Sequence, residues 1–163
     1  GAGPFPTELD DEVGEEIRTR GGEFGTTTGR ARRTGWLDIP ALRYASRING
    51  LTSLAITKLD VLSGFEKIKV CMAYSGPDDA VFTNFPYHQS VLHHATGEYI
   101  ELDGWTEDIG ECRTASDLPQ AARDYLSFIA EQIKVPVVLV GVGPGREQVI
   151  WMQNALPQLA AAA

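Results

Sequence analysis

The sequence has little cysteine and no long hydrophobic run, and these two shortages exclude whole classes of protein. The 163 residues include two cysteines, Cys71 and Cys112, which lack the close spacing of a disulfide framework. Reduced thiols in a cytoplasmic protein are therefore expected. No apolar run approaches the roughly 18–20 residues that a membrane span needs, and no segment has the pattern of a signal peptide. We accordingly predict a cytoplasmic protein that does not bind membranes.

Positive charge is also scarce. Lysine and arginine number 14 against 22 aspartates and glutamates, so the net charge is −8. Non-specific nucleic-acid binding needs a broad basic face, and this composition argues against it. The exception is local, because five arginines lie between Arg30 and Arg47 with Asp38 as the single acid among them.

The familiar catalytic and metal-binding motifs are missing from the sequence. It has neither the G-x-x-x-x-G-K-[ST] of a phosphate loop nor the G-x-S-x-G of a serine hydrolase. Its three histidines, His88, His93 and His94, show no metal-ligand spacing with the cysteines. We expect His93 and His94 to be a surface pair, and we predict no metal site in this chain.

What is present is an ordinary globular composition, with 43% hydrophobic and 22% charged residues. Thr7 resembles the start of a capping box, which predicts a first helix over about residues 8–19. A second helix is predicted from Asp38, with Pro40 in its first turn and Asn49-Gly50 at its end. Its inward-facing residues would include Ile48.

The rest of the chain predicts strands and one long helix. The long helix is expected over residues 116–134, with Ser116 and Asp117 as its cap. Six segments have the apolar or alternating patterns of strands: LTSLAIT, KIKVCMAY, AVFTNF, GEYIELDGW, VPVVLVGVG and REQVIWM. We predict a mixed α/β fold with helices packed on a sheet, as one domain over residues 1–152, followed by a flexible tail over 153–163.

The stretch GEFGTTTGRARRTGWLD, residues 22–38, concentrates hydroxyls, glycines and guanidinium groups. Glycines free backbone N–H groups to meet an anion, threonine hydroxyls add donors, and arginines supply planar forks. This composition suits a phosphate or a carboxylate. The alternative is a solvated basic turn whose arginines pair with nearby glutamates, such as those of the first helix.

Two further segments place polar or glycine residues directly after apolar strands. In ITKLD, Lys58 and Asp60 follow a strand, at the position where α/β sheets bind ligands. A carboxylate there can accept two hydrogen bonds from guanine, against which a lysine stem can lie. In VVLVGVGPGRE, Gly141 and Gly143 allow close approach to the backbone. An ordinary surface pair and a tight turn are the alternatives.

Together these segments resemble the C-terminal part of adenylosuccinate synthetase. The matching text is the arginine stretch, ALRYASRINGLTSLAITKLDVL and GVGPGR, flanked by GAGPFPTE and DLPQAARDYL. The resemblance covers nearly the whole chain apart from about residues 77–94 and the tail. Because the chain begins with Gly1 rather than methionine, we also expect it to be a segment of a larger protein.

The resemblance implies roles for particular residues. The aspartate substrate would be bound by the loop Thr26, Thr27, Thr28, Gly29, Arg30, Ala31 and Arg32, with Thr27 and Thr28 as hydroxyl donors. Arg30 would also reach IMP, and Arg32 would reach GTP. Ala31 departs from the family, where many members carry a basic residue. Guanine would be contacted by Lys58, Leu59, Asp60, Gly141, Val142 and Gly143.

The resemblance also implies a reaction and its partners. The family ligates IMP and aspartate at the expense of GTP, with Mg²⁺, in the synthesis of AMP, and it is typically a homodimer. Its catalytic groups, phosphate loop and Mg²⁺ ligands belong to its N-terminal part, so this segment would carry recognition and would be inactive alone. Two alternatives are a non-catalytic module that binds a guanine nucleotide or another anion, and a nucleic-acid binder that uses the arginine loop.

Overall fold

The computed structural model describes residues 3–76 and 80–152, and it confirms the predicted mixed α/β fold. The helices are α1 Glu12–Gly21, α2 Ile39–Asn49, α3 Gln89–His93 and α4 Gln120–Ile133. The strands are β1 Leu37–Asp38, β2 Leu54–Ile56, β3 Phe65–Ser75, β4 Val81–Phe82, β5 Thr96–Trp105, β6 Val137–Gly141 and β7 Val149–Trp151. Short 3₁₀ turns cover Leu59–Leu62 and Ala115–Asp117.

The chain divides into two compact units. Of the described residues, the first comprises 3–45, 69–76 and 80–101, and the second comprises 46–68 and 102–152. The single domain expected over residues 1–152 stays a prediction. The tail expected over residues 153–163 lies outside the described residues.

The first unit is organised by the sheet that contains β1, β3, β4 and β5. Strand β1 runs parallel to β3, and β4 runs antiparallel to it. The alternating pattern of the sequence places Val70 and Tyr74 of β3 out of contact with solvent. Tyr74 packs in a cluster with Cys71 and Leu92, and burial raises the pKa of the Cys71 thiol to about 11. This cluster supports the end of the sheet where α2 begins.

Asp38 joins this cluster to the start of α2. Its Oδ1 accepts a hydrogen bond of 2.9 Å from the backbone N–H of Ala41, the arrangement of a helix N-cap. The Tyr74 hydroxyl donates to both carboxylate oxygens, at 2.6 and 2.7 Å. Burial raises the pKa of Asp38, and the bonds from Tyr74 and Ala41 oppose that rise. The helix start predicted at Asp38 is thus confirmed.

The second unit contains a sheet in the order β2–β6–β7. Strands β2 and β6 are parallel, with Ile56 opposite Val140, and β7 is antiparallel to β6. Helix α4 buries one apolar face with residues at helical spacing: Ala122, Tyr125, Leu126, Ile129 and Ile133. Because β2 and β6 are parallel, their carboxyl ends lie at the same edge of this sheet.

The first helix begins later than the sequence predicts. Helix α1 starts at Glu12 and is capped by Asp11, whose carboxylate accepts from the N–H of Gly14 at 2.9 Å. The expected cap, Thr7, is fully buried instead. The backbone beyond it is held in an extended form, since Glu8 forms a β-bridge with Gly35.

Two further differences from the predictions concern the inward face of α2 and the start of α4. Ile48 lies on the exposed side of α2 with 63% of its surface accessible, so the inward face predicted for that helix was wrong at this position. Helix α4 begins at Gln120 rather than at residue 116, because the Asp117 side chain forms a capping box with Thr114 over the preceding 3₁₀ turn. Pro119 then separates this turn from the helix.

Candidate functional site

The arginine loop, residues 24–33, is a tight turn closed by an antiparallel β-bridge. Phe24 forms a β-bridge with Ala31, and the N–H of Gly25 donates to the carbonyl of Arg30 at 2.8 Å. Gly29 occupies the left-handed region at φ 64°, which favours glycine. The N–H of Gly29 closes the turn on Gly25 O at 2.7 Å. Residues 26–33 are all exposed, so their polar groups lie at the surface of the first unit.

The three arginines of this loop have different environments. Arg32 forms an ion pair with Glu23 at 2.9 Å. Arg33 forms a two-bond pair with Glu8, and the Arg33 guanidinium lowers the pKa of that carboxyl. Among the residues that the structure describes, the Arg30 guanidinium has no hydrogen-bond or ion-pair partner. Pairing with glutamates therefore accounts for two of these arginines and leaves Arg30 available.

A groove of ≈ 510 Å³ lies beside this loop. It is lined by Gly3, Pro4, Phe5, Gly25, Thr28, Arg30, Ala31, Arg32 and Arg33. Of the residues that the family resemblance assigns to aspartate, four line the groove and Thr26, Thr27 and Gly29 do not. The Thr28 hydroxyl accepts from the N–H of Arg30 at 3.3 Å and thereby supports the turn. The binding roles of these seven residues stay predictions.

The second candidate element lies at the carboxyl edge of β2 and β6, in the second unit. A Cβ atom added to Gly141 would lie 3.4 Å from Thr57 Cα and 3.7 Å from the Lys58 nitrogen. The structure therefore brings the TKLD segment and the GVG segment together, although 80 residues separate them in sequence. Parallel pairing of β2 with β6 produces this contact.

Lys58 adopts an unusual backbone conformation at this edge. Its φ of 60° and ψ of 35° lie in the left-handed region, which few residues other than glycine adopt. Such strain costs about 1–3 kcal/mol and concentrates at functional sites. The turn directs the chain into the 3₁₀ segment Leu59–Leu62, in which Leu59 is buried and Asp60 is only partly so.

Asp60 carries the most informative single atom of this edge. Its Oδ1 is buried, and it has no hydrogen-bond partner among the residues that the structure describes. A buried carboxylate oxygen without a donor is costly, and a water molecule, an ion or a ligand that donates to it would remove that cost. The neighbouring Val142 is fully buried.

Gln148 holds the GVGPG turn in place, a role that sequence reasoning missed. Its carbonyl accepts from the N–H of Val142 at 2.9 Å, and its side chain accepts from the N–H of Gly145 at 2.9 Å and donates to Gly110 O at 3.1 Å. A Cβ on Gly143 would lie 2.4 Å from the end of this side chain, so a larger residue there would displace the Gln148 amide. A lone glutamine gives no sequence signal for such a role.

The histidines and cysteines form no comparable site. His93 and His94 are exposed at the end of α3. In residues 3–76 and 80–152, no group of three or more histidine, cysteine, aspartate or glutamate side chains is placed to hold a metal ion. Within the same ranges, every helix is too short or too polar to cross a membrane.

Comparison with known proteins places this geometry in context. A family model described as adenylosuccinate synthetase matches residues 1–150. The chain belongs to the adenylosuccinate synthetase family. It is 55% identical over 154 residues to the adenylosuccinate synthetase of Frankia alni and 55% identical over 153 residues to that of Thermobifida fusca. The match covers 94% of this chain in both cases.

A solved structure agrees with the family assignment. The fully ligated adenylosuccinate synthetase from Plasmodium falciparum superposes with a TM-score of 0.87 at 40% identity, over 93% of this chain. The chain spans 36% of the length of these relatives and of that structure. Membership of the family confirms the resemblance derived from the arginine, TKLD and GVGPGR segments.

Proposed function

We propose that this chain is the C-terminal, substrate-recognising segment of an enzyme that ligates IMP and L-aspartate at the expense of GTP. In this role it reads the guanine base with one element and binds the aspartate carboxylate with another. The enzyme would be a cytoplasmic homodimer of purine biosynthesis, and the segment itself would bind neither nucleic acid nor membrane.

The observation that carries the proposal is the buried, unpartnered Oδ1 of Asp60. A carboxylate can accept both the N1–H and the 2-amino group of guanine, a pair of donors that adenine does not offer. A base bound there would supply the hydrogen bonds that this oxygen lacks. Lys58 lies two residues before this carboxylate, where its aliphatic stem can pack on the base. We assign the backbone of Gly141, Val142 and Gly143 to the same base, because glycine leaves two of these three positions without a side chain.

The arginine loop supplies the second half of the proposal. The Arg30 guanidinium lines the groove and has no partner within residues 3–76 and 80–152, and a guanidinium matches a carboxylate with two parallel hydrogen bonds. We assign it to the α-carboxylate of aspartate and to IMP, with Thr27 and Thr28 as further donors. Arg32, whose present partner is Glu23, is assigned to GTP.

The bond-making groups belong to the remainder of the enzyme in this proposal. GTP supplies the phosphoryl group that activates the 6-oxygen of IMP, and Mg²⁺ with its ligands outside this segment offsets the charge of the phosphates. The residues described here bind and orient the base and the amino acid. The arginine loop belongs to the first unit and the guanine-reading edge to the second.

The decisive test is the substitution Asp60→Asn in a full-length synthetase that carries this segment. An asparagine side chain offers a donor where guanine also has a donor, so the KM for GTP should rise. Losing the hydrogen bonds to a charged group costs about 3 kcal/mol, which corresponds to a rise of about 150-fold. Xanthosine triphosphate, which carries an oxygen at position 2, should become the better substrate.

The alternative of a non-catalytic guanine-nucleotide or anion-binding module is distinguished by activity. Such a module would bind GTP through Asp60 but would form no adenylosuccinate even when joined to the rest of the enzyme. An unaltered preference for GTP over xanthosine triphosphate in the Asp60→Asn variant would contradict both hypotheses about this edge.

A further inference from the structure

The arginine loop is held by a segment that the proposed function does not use. Gly3, Pro4 and Phe5 line the same groove as the loop, and the segment continues to Glu8. Within the first unit, this segment lies next to the chain that leaves the loop, since Glu8 forms a β-bridge with Gly35. The groove therefore has one wall from the loop and another from residues 3–5.

The guanidinium group of Arg33 joins the loop to the segment 3–8 through all three of its nitrogen atoms. Its Nε donates to Glu8 Oε1 at 2.7 Å, and one terminal nitrogen donates to Glu8 Oε2 at 2.5 Å. The other terminal nitrogen donates to the carbonyl of Gly3 at 2.7 Å. The guanidinium carbon also lies 5.2 Å from the centroid of the Phe5 ring, within cation–π range.

The backbone around this pair is fixed by further contacts. The N–H of Leu9 donates to the carbonyl of Thr34 at 2.9 Å, and the buried Thr34 hydroxyl donates to Gly14 O at 2.8 Å. The residues on both sides of the Glu8–Arg33 contact are thus anchored. Arg33 is thus engaged by Glu8 and Gly3, whereas the guanidinium of Arg30, three residues earlier, has no partner among the described residues.

We propose that Glu8 and Arg33 form a positioning pair that fixes the second half of the arginine loop and so presents Arg30 to its carboxylate ligand. This inference rests on the proposed function. An exposed ion pair adds little to folding stability. The two bonds to Glu8 and the bond to Gly3 instead fix the orientation of Arg33, and Arg33 directly follows the loop residues Arg30 to Arg32. The pair acts through Arg30 and does not contact the substrate.

The test substitutes Glu8→Gln in a full-length synthetase that carries this segment. The amide keeps the size of the side chain but removes the charge and one of the two accepting oxygens. In the variant, Arg30 would be ordered only when aspartate binds. Ordering one long side chain on binding weakens affinity about two- to tenfold, so the KM for aspartate should rise by about that factor. The kcat should change by less than about twofold, because the reacting groups are untouched. Glu16→Gln is the matched control, since Glu16 pairs with Arg20 on α1.

Hydrogen exchange provides a readout independent of activity. The N–H groups of Gly25 and Gly29 are hydrogen-bonded within the loop, so peptides covering residues 25–32 report its order. Glu8→Gln should speed exchange in these peptides, and Glu16→Gln should not. Arg33→Lys should behave like Glu8→Gln, because an ammonium group cannot form the two parallel bonds.

Each result decides the inference. Unchanged exchange, or faster exchange with an unchanged KM for aspartate, would overturn the positioning role. The proposed function is tested separately by Arg30→Leu. If that function is wrong, this variant leaves the KM for aspartate unchanged, whereas the exchange rates of Glu8→Gln still show whether the pair orders the loop.

Discussion

The hydroxyl of Tyr74 should contribute strongly to the free energy of unfolding of the first unit, and the substitution Tyr74→Phe tests this. The substitution removes the group that donates to both oxygens of Asp38 and leaves the fully buried ring in place. No cavity forms, so the loss is the hydrogen bonding to a partly buried carboxylate. Bonds to a charged group contribute about 1.5–3 kcal/mol, and we expect a fall of about 2 kcal/mol in the free energy of unfolding at pH 7.

The pH dependence of this loss follows from the direction of the pKa shift. Burial raises the pKa of Asp38 above its usual 3.8, while the Tyr74 hydroxyl lowers it. A raised carboxyl pKa contributes stability below pH 3.8 that is lost as pH rises through the folded-state pKa. Removing the hydroxyl raises this pKa further. The deficit of Tyr74→Phe should therefore be smallest below pH 3.8 and should grow to its full size above the raised pKa.

Urea unfolding of the two proteins at several pH values measures this deficit. Tyr125→Phe is the matched control, because Tyr125 is also buried but has no hydrogen bond among the residues that the structure describes. The control should change stability by less than about 0.5 kcal/mol. A Tyr74→Phe deficit as small as that of the control, or one that does not shrink on acidification, would refute the role given to Asp38 and Tyr74.

Two further predictions concern the proposed enzyme. In a full-length synthetase that carries this segment, Arg30→Leu should raise the KM for aspartate by about 150-fold, since a charge-assisted pair of hydrogen bonds contributes about 3 kcal/mol. Steady-state kinetics with aspartate varied would show this, and an unchanged KM would contradict the assignment. The 163-residue chain by itself should form no adenylosuccinate from IMP, aspartate and GTP in a coupled assay, and detectable formation of product would contradict the segment's recognition-only role.

Sequence patterns predicted the elements that have strong local signals. The Asp38 cap with Pro40 in the first turn predicted the start of α2, and the alternation in KIKVCMAY predicted β3. The first helix was predicted, but its start at Thr7 was wrong because a tertiary contact, the bridge between Glu8 and Gly35, holds that stretch extended. Helix α3 was not predicted, since five residues give too little periodicity for a pattern.

The candidate site also has parts that the sequence predicts and parts that it does not. The arginine, TKLD and GVG segments could be recognised from sequence, because their residue types are specific to anion and base recognition. Their surroundings could not be predicted. Nothing local indicates that Glu8 would pair with Arg33, that Gln148 would hold the GVGPG turn, or that Asp60 Oδ1 would be buried without a partner. Each depends on residues that folding alone brings together.

Nucleotide preference in the Asp60→Asn variant tests the central claim most directly. With GTP and xanthosine triphosphate compared in the same full-length synthetase, the account predicts that the ratio of their kcat/KM values inverts in favour of xanthosine triphosphate. A variant that still prefers GTP as strongly as the parent would contradict the claim that Asp60 reads guanine.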